Sequence, residues 1–177
     1  MATFQVRTLM KTDFEALAGL EEEVFGAQGQ AVLCPYYLRL CCEFFADSCF
    51  LVPADGVAIG YLLAFVRERE AYCTTLAIAP AYQRTRAVAL AIRAFLSAIL
   101  DRVDSCWFTV EENNLPARNL HRMLGAVDVE VRRDFYGPGD DRIVSRIDRS
   151  RFDALREKYA RMGLVERPAE QTSAGAA

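Results

Sequence analysis

The clearest pattern of apolar and polar positions lies in the middle of the chain. An apolar, β-branched run from Tyr72 to Ala79 predicts a strand covered on both faces. The apolar residues that follow recur at helical spacing and predict a long helix: Leu90, Ile92, Phe95, Leu96 and Ile99. A basic turn, Pro80 to Arg86, joins the two. Because a helix N-terminus leaves backbone N–H groups unpaired, this turn is either an anion site or a plain connection with solvated arginines.

Before this junction the pattern predicts one strand, two helices and a hairpin. Residues 4–9 alternate like a short strand, and Thr12 with Glu15 forms a capping box that opens a helix. Pro35 suits the start of a second helix, whose apolar positions are Tyr37, Leu40, Cys41, Phe44 and Phe45. Residues 49–52 and 57–66 are apolar runs on either side of the turn formers PADG, so we expect an antiparallel hairpin.

After the central helix the pattern returns to short elements. Residues 105–110 predict a strand, and Asn114 and Pro116 suit the start of a helix that Gly125 ends. Residues 127–131 alternate as a half-exposed strand, which pairs with residues 143–147 across a turn-rich segment. A last helix is predicted over residues 151–164. The order β-α-α-β-β-β-α-β-α-β-β-α predicts an α/β protein with a mixed sheet.

Length and composition favour one domain. The chain has 177 residues, 53% of them hydrophobic, which is enough for one well-buried core and too few for two. We expect a single domain over residues 1–165, including the last helix, and a disordered tail over residues 166–177, where small and polar residues dominate. Neither an internal repeat nor a linker marks a boundary.

Charge and cysteine usage exclude several classes of protein. The net charge of −3 and the absence of a basic face argue against binding of nucleic acid or of an anionic membrane, and favour a cationic partner. With no long apolar run and no signal-peptide core, we expect a cytoplasmic protein. The six cysteines form no CxxC motif and there is one histidine, so we expect free thiols and no metal site.

Three segments resemble the GNAT superfamily of N-acetyltransferases. LAIAPAYQRTRAVALAI is similar to the acyl-CoA motif of that family, a strand followed by a proline, an aromatic-Gln-Arg turn and a helix. VEENNLPARNLHRMLGA is similar to its later motif, Asn-x-x-Ala-x-x-Leu-aromatic-x-x-x-Gly. GAVDVEVRRDFYGPGDDRIV resembles the subgroup that acetylates ribosomal proteins and other peptides at their N-termini.

The resemblance implies a fold and a place for acetyl-CoA. The family has a central mixed sheet that splays apart between its fourth and fifth strands, with helices on both faces. Leu76 and Ile78 would then pair through their backbones with the pantetheine arm, and Asn114 would lie near that arm. The turn and first helical residues would hold the pyrophosphate: Arg84, Thr85, Arg86, Ala87, Val88 and Ala89. No metal is implied.

The turn departs from the family pattern. The family has Gln/Arg-x-x-Gly-x-Gly/Ala, and here Arg86 and Val88 replace the two small residues. A frame that starts at Arg84 instead places Ala87 and Ala89 at those sites. Glycines let phosphate approach closely, so side chains could crowd the pyrophosphate, although a turn that stays helical keeps its N–H groups. Arg86 could supply a compensating charge or close the site.

The resemblance also implies catalytic and substrate-binding residues. His121 stands where the family usually places a tyrosine that protonates the departing thiolate; an imidazole can do this if an acidic neighbour raises its pKa. For the base, Glu70, Glu111, the adjacent Glu112 and a chain of water remain open. Thr109 occupies a position where N-terminal acetyltransferases often carry glutamate. Tyr136 matches an aromatic residue that closes over the substrate.

Each of these residues also has a purely structural interpretation. His121 could pack on a helix flank, each glutamate could be a solvated strand end, and Tyr136 could pack at the sheet edge. Asn114 is expected to cap its helix in either case.

Two functions are compatible with these patterns. The first is an acyl-CoA-dependent N-acetyltransferase that moves an acetyl group from acetyl-CoA to a primary amine by direct attack in a ternary complex. The acceptor could be a small metabolite or amino-acid amine, or a peptide N-terminus, and the fold is compatible with a homodimer. The alternative is a catalytically inactive protein of the same fold that serves as a binding module, which the departures at Arg86, Val88, Thr109 and His121 would explain.

Overall fold

The structure, a computed structural model, describes residues 2–166. Seven strands are present in this range: β1 Arg7–Thr8, β2 Phe50–Ala54, β3 Val57–Arg67, β4 Glu70–Ile78, β5 Ser105–Val110, β6 Val127–Arg132 and β7 Arg142–Asp148. Five α-helices accompany them: α1 Phe14–Val24, α2 Pro35–Glu43, α3 Ala87–Ile99, α4 Leu115–Met123 and α5 Arg149–Arg161. The predicted order of strands and helices is confirmed. The expected disordered tail lies outside the described residues apart from its first residue.

The strands form one mixed sheet in the order β1-β2-β3-β4-β5-β7-β6. Strands β4 and β5 are parallel and pair only from Glu70 opposite Ser105 to Cys73 opposite Phe108. Beyond Cys73, β4 stays paired with β3 on one side and separates from β5 on the other. The predicted splay between the fourth and fifth strands is therefore present.

Helices cover both faces of the sheet, because alternate residues of each strand point to opposite sides. One core joins α3 and α5 to the face that carries Phe50 and Val52. A second core joins α1 and α2 to the face that carries Leu51 and Tyr61. The predicted mixed α/β fold with helices on both faces is confirmed.

The hairpin of β2 and β3 is confirmed, but its turn is shorter than predicted. Pro53 and Ala54 still pair with β3, and only Asp55 and Gly56 form the connection. Both have positive φ, 48° and 84°, which is typical of a two-residue turn between twisted strands.

The N-terminal part differs from the prediction in two places. Thr12 and Glu15 form no capping box, because a short 3-10 turn precedes α1 and the Asp13 carboxylate accepts instead from the backbone N–H of Met10 at 2.7 Å. Of the apolar positions predicted for α2, Cys41 is buried and Tyr37 and Leu40 are half-buried, and the helix also buries Leu38 and Cys42. Phe44 follows the end of this helix and is 75% exposed.

The C-terminal elements also differ in detail. All residues of β6 are exposed, whereas alternation predicted a half-buried strand; β6 is an outer strand of the sheet. The helix α5 covers Arg149–Arg161 rather than residues 151–164.

The structure also shows the state of the cysteines and the length of the helices, which were used above to argue against disulfide, metal and membrane proteins. The six cysteines are free thiols, five of them buried and Cys34 exposed. Residues 2–166 contain no group of three or more metal-ligating side chains. Within the same range, no helix has the length and apolar character needed to cross a membrane.

Candidate active site

The point where β4 leaves β5 coincides with an irregularity in the neighbouring pair. The register of β3 and β4 shifts between Leu63 and Ala64, opposite Thr74. The Thr74 hydroxyl donates to the Leu63 carbonyl at 3.1 Å and accepts from the Tyr37 hydroxyl at 2.7 Å. A bulge bends and twists its strand, so this local feature turns the end of β4 away from β5.

The separation leaves a free backbone edge on β4. The Ala79 N–H donates to the Ile59 carbonyl at 2.8 Å, so Ala79 faces β3. Backbone groups alternate in direction along a strand, which turns those of Leu76 and Ile78 toward the opening. The Gln83 side chain donates to the Ile78 carbonyl at 3.2 Å, in agreement with this direction. Among the described residues, no strand pairs with this edge beyond Cys73.

The N-terminus of α3 lies directly after this edge. No residue from Arg84 to Ala89 has positive φ, so the turn keeps a helical course without glycine. The Thr85 hydroxyl accepts from the Ala87 N–H at 3.2 Å. Within the described chain, the N–H groups of Val88 and Ala89 have no acceptor. These free donors at a helix N-terminus can bind an anion.

The two arginines of the turn differ in their surroundings. The Arg86 guanidinium lies over the Phe4 ring, 5.4 Å from its centroid, so this side chain is drawn toward the N-terminal segment. Arg84 is exposed, and no carboxylate of the described residues pairs with it. Arg84 is therefore the more available cation for a bound anion.

The helix α4 positions Asn114 and His121. The Asn114 side chain caps the helix by accepting from the Ala117 N–H at 3.2 Å, as predicted. The His121 ring stacks on Phe108 of β5, with centroids 4.4 Å apart and planes inclined by 31°. Its Nδ1 atom is buried and has no hydrogen-bond partner among the described residues.

The environment of His121 keeps its imidazole neutral. Burial lowers the pKa of His121 to about 4, and the opposing effect of the Asp128 carboxylate is smaller. An acidic neighbour is thus present, but burial dominates. At pH 7 the ring is an uncharged hydrogen-bonding group rather than an imidazolium.

Two hydroxyl groups, that of Thr109 and that of Tyr72, which the sequence did not single out, lie at the opening on the face of the sheet opposite Phe108. The Tyr72 and Thr109 hydroxyls lie 2.6 Å apart, across the last paired residues of β4 and β5. Burial raises the pKa of Tyr72 to about 12, and Tyr136 acts in the same direction. Tyr72 and Thr74 are two positions apart in a strand, so their spacing could have predicted that they share a face. It could not have predicted their hydrogen-bond partners, which are Thr109 of β5 and Tyr37 of α2.

The connection between β6 and β7 brings Tyr136, Arg142 and Glu111 together. An Arg142 Nη1 atom lies 2.9 Å from the Glu111 carboxylate, and the guanidinium lies 5.2 Å from the centroid of the Tyr136 ring. Tyr136 itself is 67% exposed. An open cleft of about 540 Å³ adjoins this group and is lined by Glu111, Glu112, Asn113, Pro138, Gly139, Asp140 and Asp141.

Glu70 is not brought together with the other predicted residues. It lies at the start of β4, where its carboxylate accepts from the Ser105 hydroxyl at 3.1 Å and from the Trp107 ring N–H at 3.3 Å. At about 3.3 Å per residue, Glu70 is about 13 Å along the strand from Thr74. The structure therefore places the β4 edge directly before the α3 N-terminus, His121 of α4 against Phe108 of β5, and Glu111 and Tyr136 on the two sides of Arg142.

Several solved structures share this fold. The ribosomal-protein-S18-alanine N-acetyltransferase from Escherichia coli has a TM-score of 0.68 at 20% identity, over 82% of this chain and 94% of that one. A diaminobutyrate acetyltransferase from Paenibacillus lautus, solved with L-2,4-diaminobutyric acid and coenzyme A, has a TM-score of 0.64 at 16% identity, over 82% and 95%. Arabidopsis thaliana Naa50, solved with a bisubstrate analogue of CoA and a peptide, has a TM-score of 0.70 at 13% identity, over 82% and 98%.

Comparison of the sequence, rather than of the structure, identifies the family. No curated protein sequence matches the chain significantly. The sequence model of the acetyltransferase (GNAT) family matches residues 11–126, a span that runs from the turn before α1 to the end of α4 and includes the β4 edge and the α3 N-terminus. The chain therefore belongs to the GNAT family of acetyltransferases.

Proposed function

We propose that this protein is an acyl-CoA-dependent N-acetyltransferase that transfers an acetyl group from acetyl-CoA to a primary amine by direct attack in a ternary complex. The observation that carries the proposal is the free edge of β4 at Leu76 and Ile78, placed immediately before the N-terminus of α3. A free strand edge binds an amide-bearing chain, and a helix N-terminus binds a phosphate group. Acetyl-CoA carries both kinds of group in one molecule.

The backbone of the chain would supply most of the contacts to acetyl-CoA. Leu76 and Ile78 would pair with the amides of the pantetheine arm, and Asn114 would lie near it at the start of α4. Of the N–H groups from Arg84 to Ala89, the free ones of Val88 and Ala89 would hold the pyrophosphate, with Thr85 keeping the turn in shape through its bond to the Ala87 N–H. Because the turn needs no positive φ, the loss of glycine leaves these donors in place.

The reaction would depend on orientation and on hydrogen bonds to developing charge. The amine nitrogen forms a bond to the thioester carbonyl carbon, and the C–S bond breaks with the electron pair passing to sulfur. A backbone N–H of Leu76 or Ile78 would stabilise the oxyanion. His121, neutral at pH 7, would donate an N–H hydrogen bond to the leaving sulfur rather than deliver a proton from an imidazolium.

The proton released by the amine would leave through Glu112 or through water. Glu70 lies at the paired end of β4 and β5, away from the opening. Glu111 lies directly after the end of β5, but Arg142 holds its carboxylate at 2.9 Å. Of the alternatives, Glu112 in the adjoining cleft and a water chain remain, and the Tyr72 and Thr109 hydroxyls could order such a chain.

The acceptor would enter from the side of the β6–β7 connection, where Tyr136 is exposed. The carboxylates of the adjoining cleft favour a cationic molecule, and both a small amine and a peptide N-terminus meet that requirement. The peptide and diaminobutyrate acetyltransferases that share the fold act on acceptors of these two kinds.

The test begins with isothermal titration of the protein with acetyl-CoA. We expect a one-to-one complex that is weakened by about fivefold or more when Arg84 and Arg86 are both replaced by alanine, and that is unchanged in the control Arg93→Ala, on the exposed side of α3. Acetylation of a panel of amines and peptides is then followed by mass spectrometry, since six free cysteines would react with a thiol dye. No binding would refute the proposal, and binding without turnover of any acceptor would favour an inactive binding module.

A further inference from the structure

The connection between β6 and β7 is braced by its own hydrogen bonds. The Phe135 N–H donates to the Asp140 carbonyl at 2.7 Å, and the Gly139 N–H donates to the Asp134 carboxylate at 2.7 Å. The Asp134 N–H donates to the Asp141 carboxylate at 3.1 Å. These bonds close the segment on itself and give it a defined internal shape.

One side chain, Arg142, joins this segment to the end of β5. Its Nη2 atom donates to the Asp140 carboxylate at 3.0 Å, and its Nε atom lies 2.6 Å from the other oxygen, at an angle outside hydrogen-bond geometry. Its Nη1 atom pairs with Glu111. The Arg142 side chain is only 17% exposed. A rigid guanidinium fork held by two carboxylates from different segments fixes their relative position better than an exposed single pair.

The same guanidinium supports Tyr136. It lies 5.2 Å from the centroid of the Tyr136 ring, and Phe135 packs edge-on against that ring with centroids 4.6 Å apart. On its other side Tyr136 is close enough to Tyr72 to affect its ionisation. The position of Tyr136 therefore depends on where Arg142 holds the segment.

We propose that Glu111, Arg142 and Asp140 form a clasp that docks the β6–β7 connection on the end of β5 and sets Tyr136 over the acceptor entrance. Glu111 is then a positioning residue and not the general base. The part of this inference that concerns the acceptor rests on the proposed function, whereas the clasp is a property of the chain alone.

The clasp is tested first without any substrate, by limited digestion with trypsin and mass spectrometry of cleavage after Arg132 and Arg133. Glu111→Gln removes the charge that holds Arg142 and leaves every trypsin site in place. We expect cleavage at these two sites to become faster by about fivefold or more, with the melting temperature nearly unchanged. The control is Asp104→Asn, which breaks an exposed pair with Arg69 before β5 and should leave the cleavage rate unchanged.

Steady-state kinetics then separate positioning from base catalysis. Glu111→Gln and Arg142→Gln should each raise the KM for the amine by about tenfold and leave kcat within about twofold. The double variant should be no worse than Arg142→Gln alone, because that change already removes the contact with Glu111. The acetyl-CoA affinity should not change in any of them.

Each outcome decides the inference. Unchanged cleavage in Glu111→Gln overturns the clasp, whatever the kinetics. A fall in kcat of about a hundredfold in Glu111→Gln, with Arg142→Gln nearly normal, makes Glu111 the base and overturns the positioning role. If the wild-type protein acetylates no amine, the proposed function and the acceptor role fail together, while the cleavage experiment still supports or overturns the clasp.

Discussion

The His121 ring stacks on Phe108, with centroids 4.4 Å apart. This contact places the histidine of α4 against the strand that borders the opening in the sheet. The burial that comes with it lowers the pKa of His121 to about 4, so the ring can donate or accept one hydrogen bond at neutral pH without carrying charge. Family resemblance assigned His121 the role of a proton donor, and its surroundings favour a neutral donor of a hydrogen bond instead.

This difference is visible in the pH dependence of catalysis. We expect kcat of the wild-type enzyme not to fall between about pH 6.5 and 8, because no imidazolium is lost in that range. His121→Ala should lower kcat by about ten- to a hundredfold, and His121→Gln, which keeps an N–H donor, should lose less. A wild-type kcat that falls through about pH 6.5 to 7.5, and no longer does so in His121→Gln, would show that the charged form acts.

The same pKa predicts how stability depends on pH. In the unfolded chain His121 takes up a proton near pH 6.5, and in the folded protein only near pH 4. Between these values the unfolded state binds more protons, so the free energy of unfolding falls as pH is lowered and is independent of this group above the window. Relative to His121→Phe, the wild type should lose on the order of 2 to 3 kcal/mol from pH 7 to 4. Urea unfolding of both proteins across this range measures it, and parallel pH profiles would contradict it.

The surroundings of the two arginines predict unequal roles in acetyl-CoA binding. Arg84→Ala should weaken the affinity by about fivefold, and the loss should shrink at high salt, because an exposed charge near a phosphate is screened. Arg86→Ala should have a smaller effect, since its guanidinium already contacts Phe4. Isothermal titration at two salt concentrations measures these changes, with Arg93→Ala as the control. An equal loss of acetyl-CoA affinity in Arg84→Ala and Arg93→Ala would mean that the α3 N-terminus is not the anion site.

Close backbone approach at Gly60 predicts a strong effect of one methyl group. A Cβ atom at Gly60 would lie 2.3 Å from Ile78 Cδ1 and 2.7 Å from the Ala77 carbonyl oxygen. Gly60→Ala should therefore destabilise the protein by about 2 kcal/mol or more and disturb the edge used by Ile78. Gly19→Ala is the matched control, because nothing lies within 4 Å of its Cβ position in α1.

For Gly19→Ala we expect a gain of up to about 1 kcal/mol from helix propensity. Thermal and urea unfolding compare the two variants. Equal free energies of unfolding for Gly60→Ala and Gly19→Ala would show that β3 can shift at Gly60 to accommodate a methyl group without loss of stability.

Much of the fold was predictable because its signals are local. The periodicity of α3 and the cap at Asn114 depend on residues three or four positions apart, and both are confirmed. Where local signals competed, the prediction failed. The Asp13 carboxylate, rather than the Thr12 hydroxyl, stabilises the turn before α1, because Arg7 and the Met10 N–H both donate to it in the folded chain.

The residues at the opening were predictable only in part. The sequence by itself determined the order of strands and helices, the basic turn before α3 and the presence of His121, Glu111 and Tyr136 in recognisable segments. Only the tertiary structure decided that β7 lies between β5 and β6, that Glu70 lies at the closed end of the opening, and that Arg142 holds Glu111. It also decided that burial makes His121 neutral. The physical reason is that strand order, desolvation and ion pairing depend on residues far apart in the chain, and no periodicity within one segment records which of them meet.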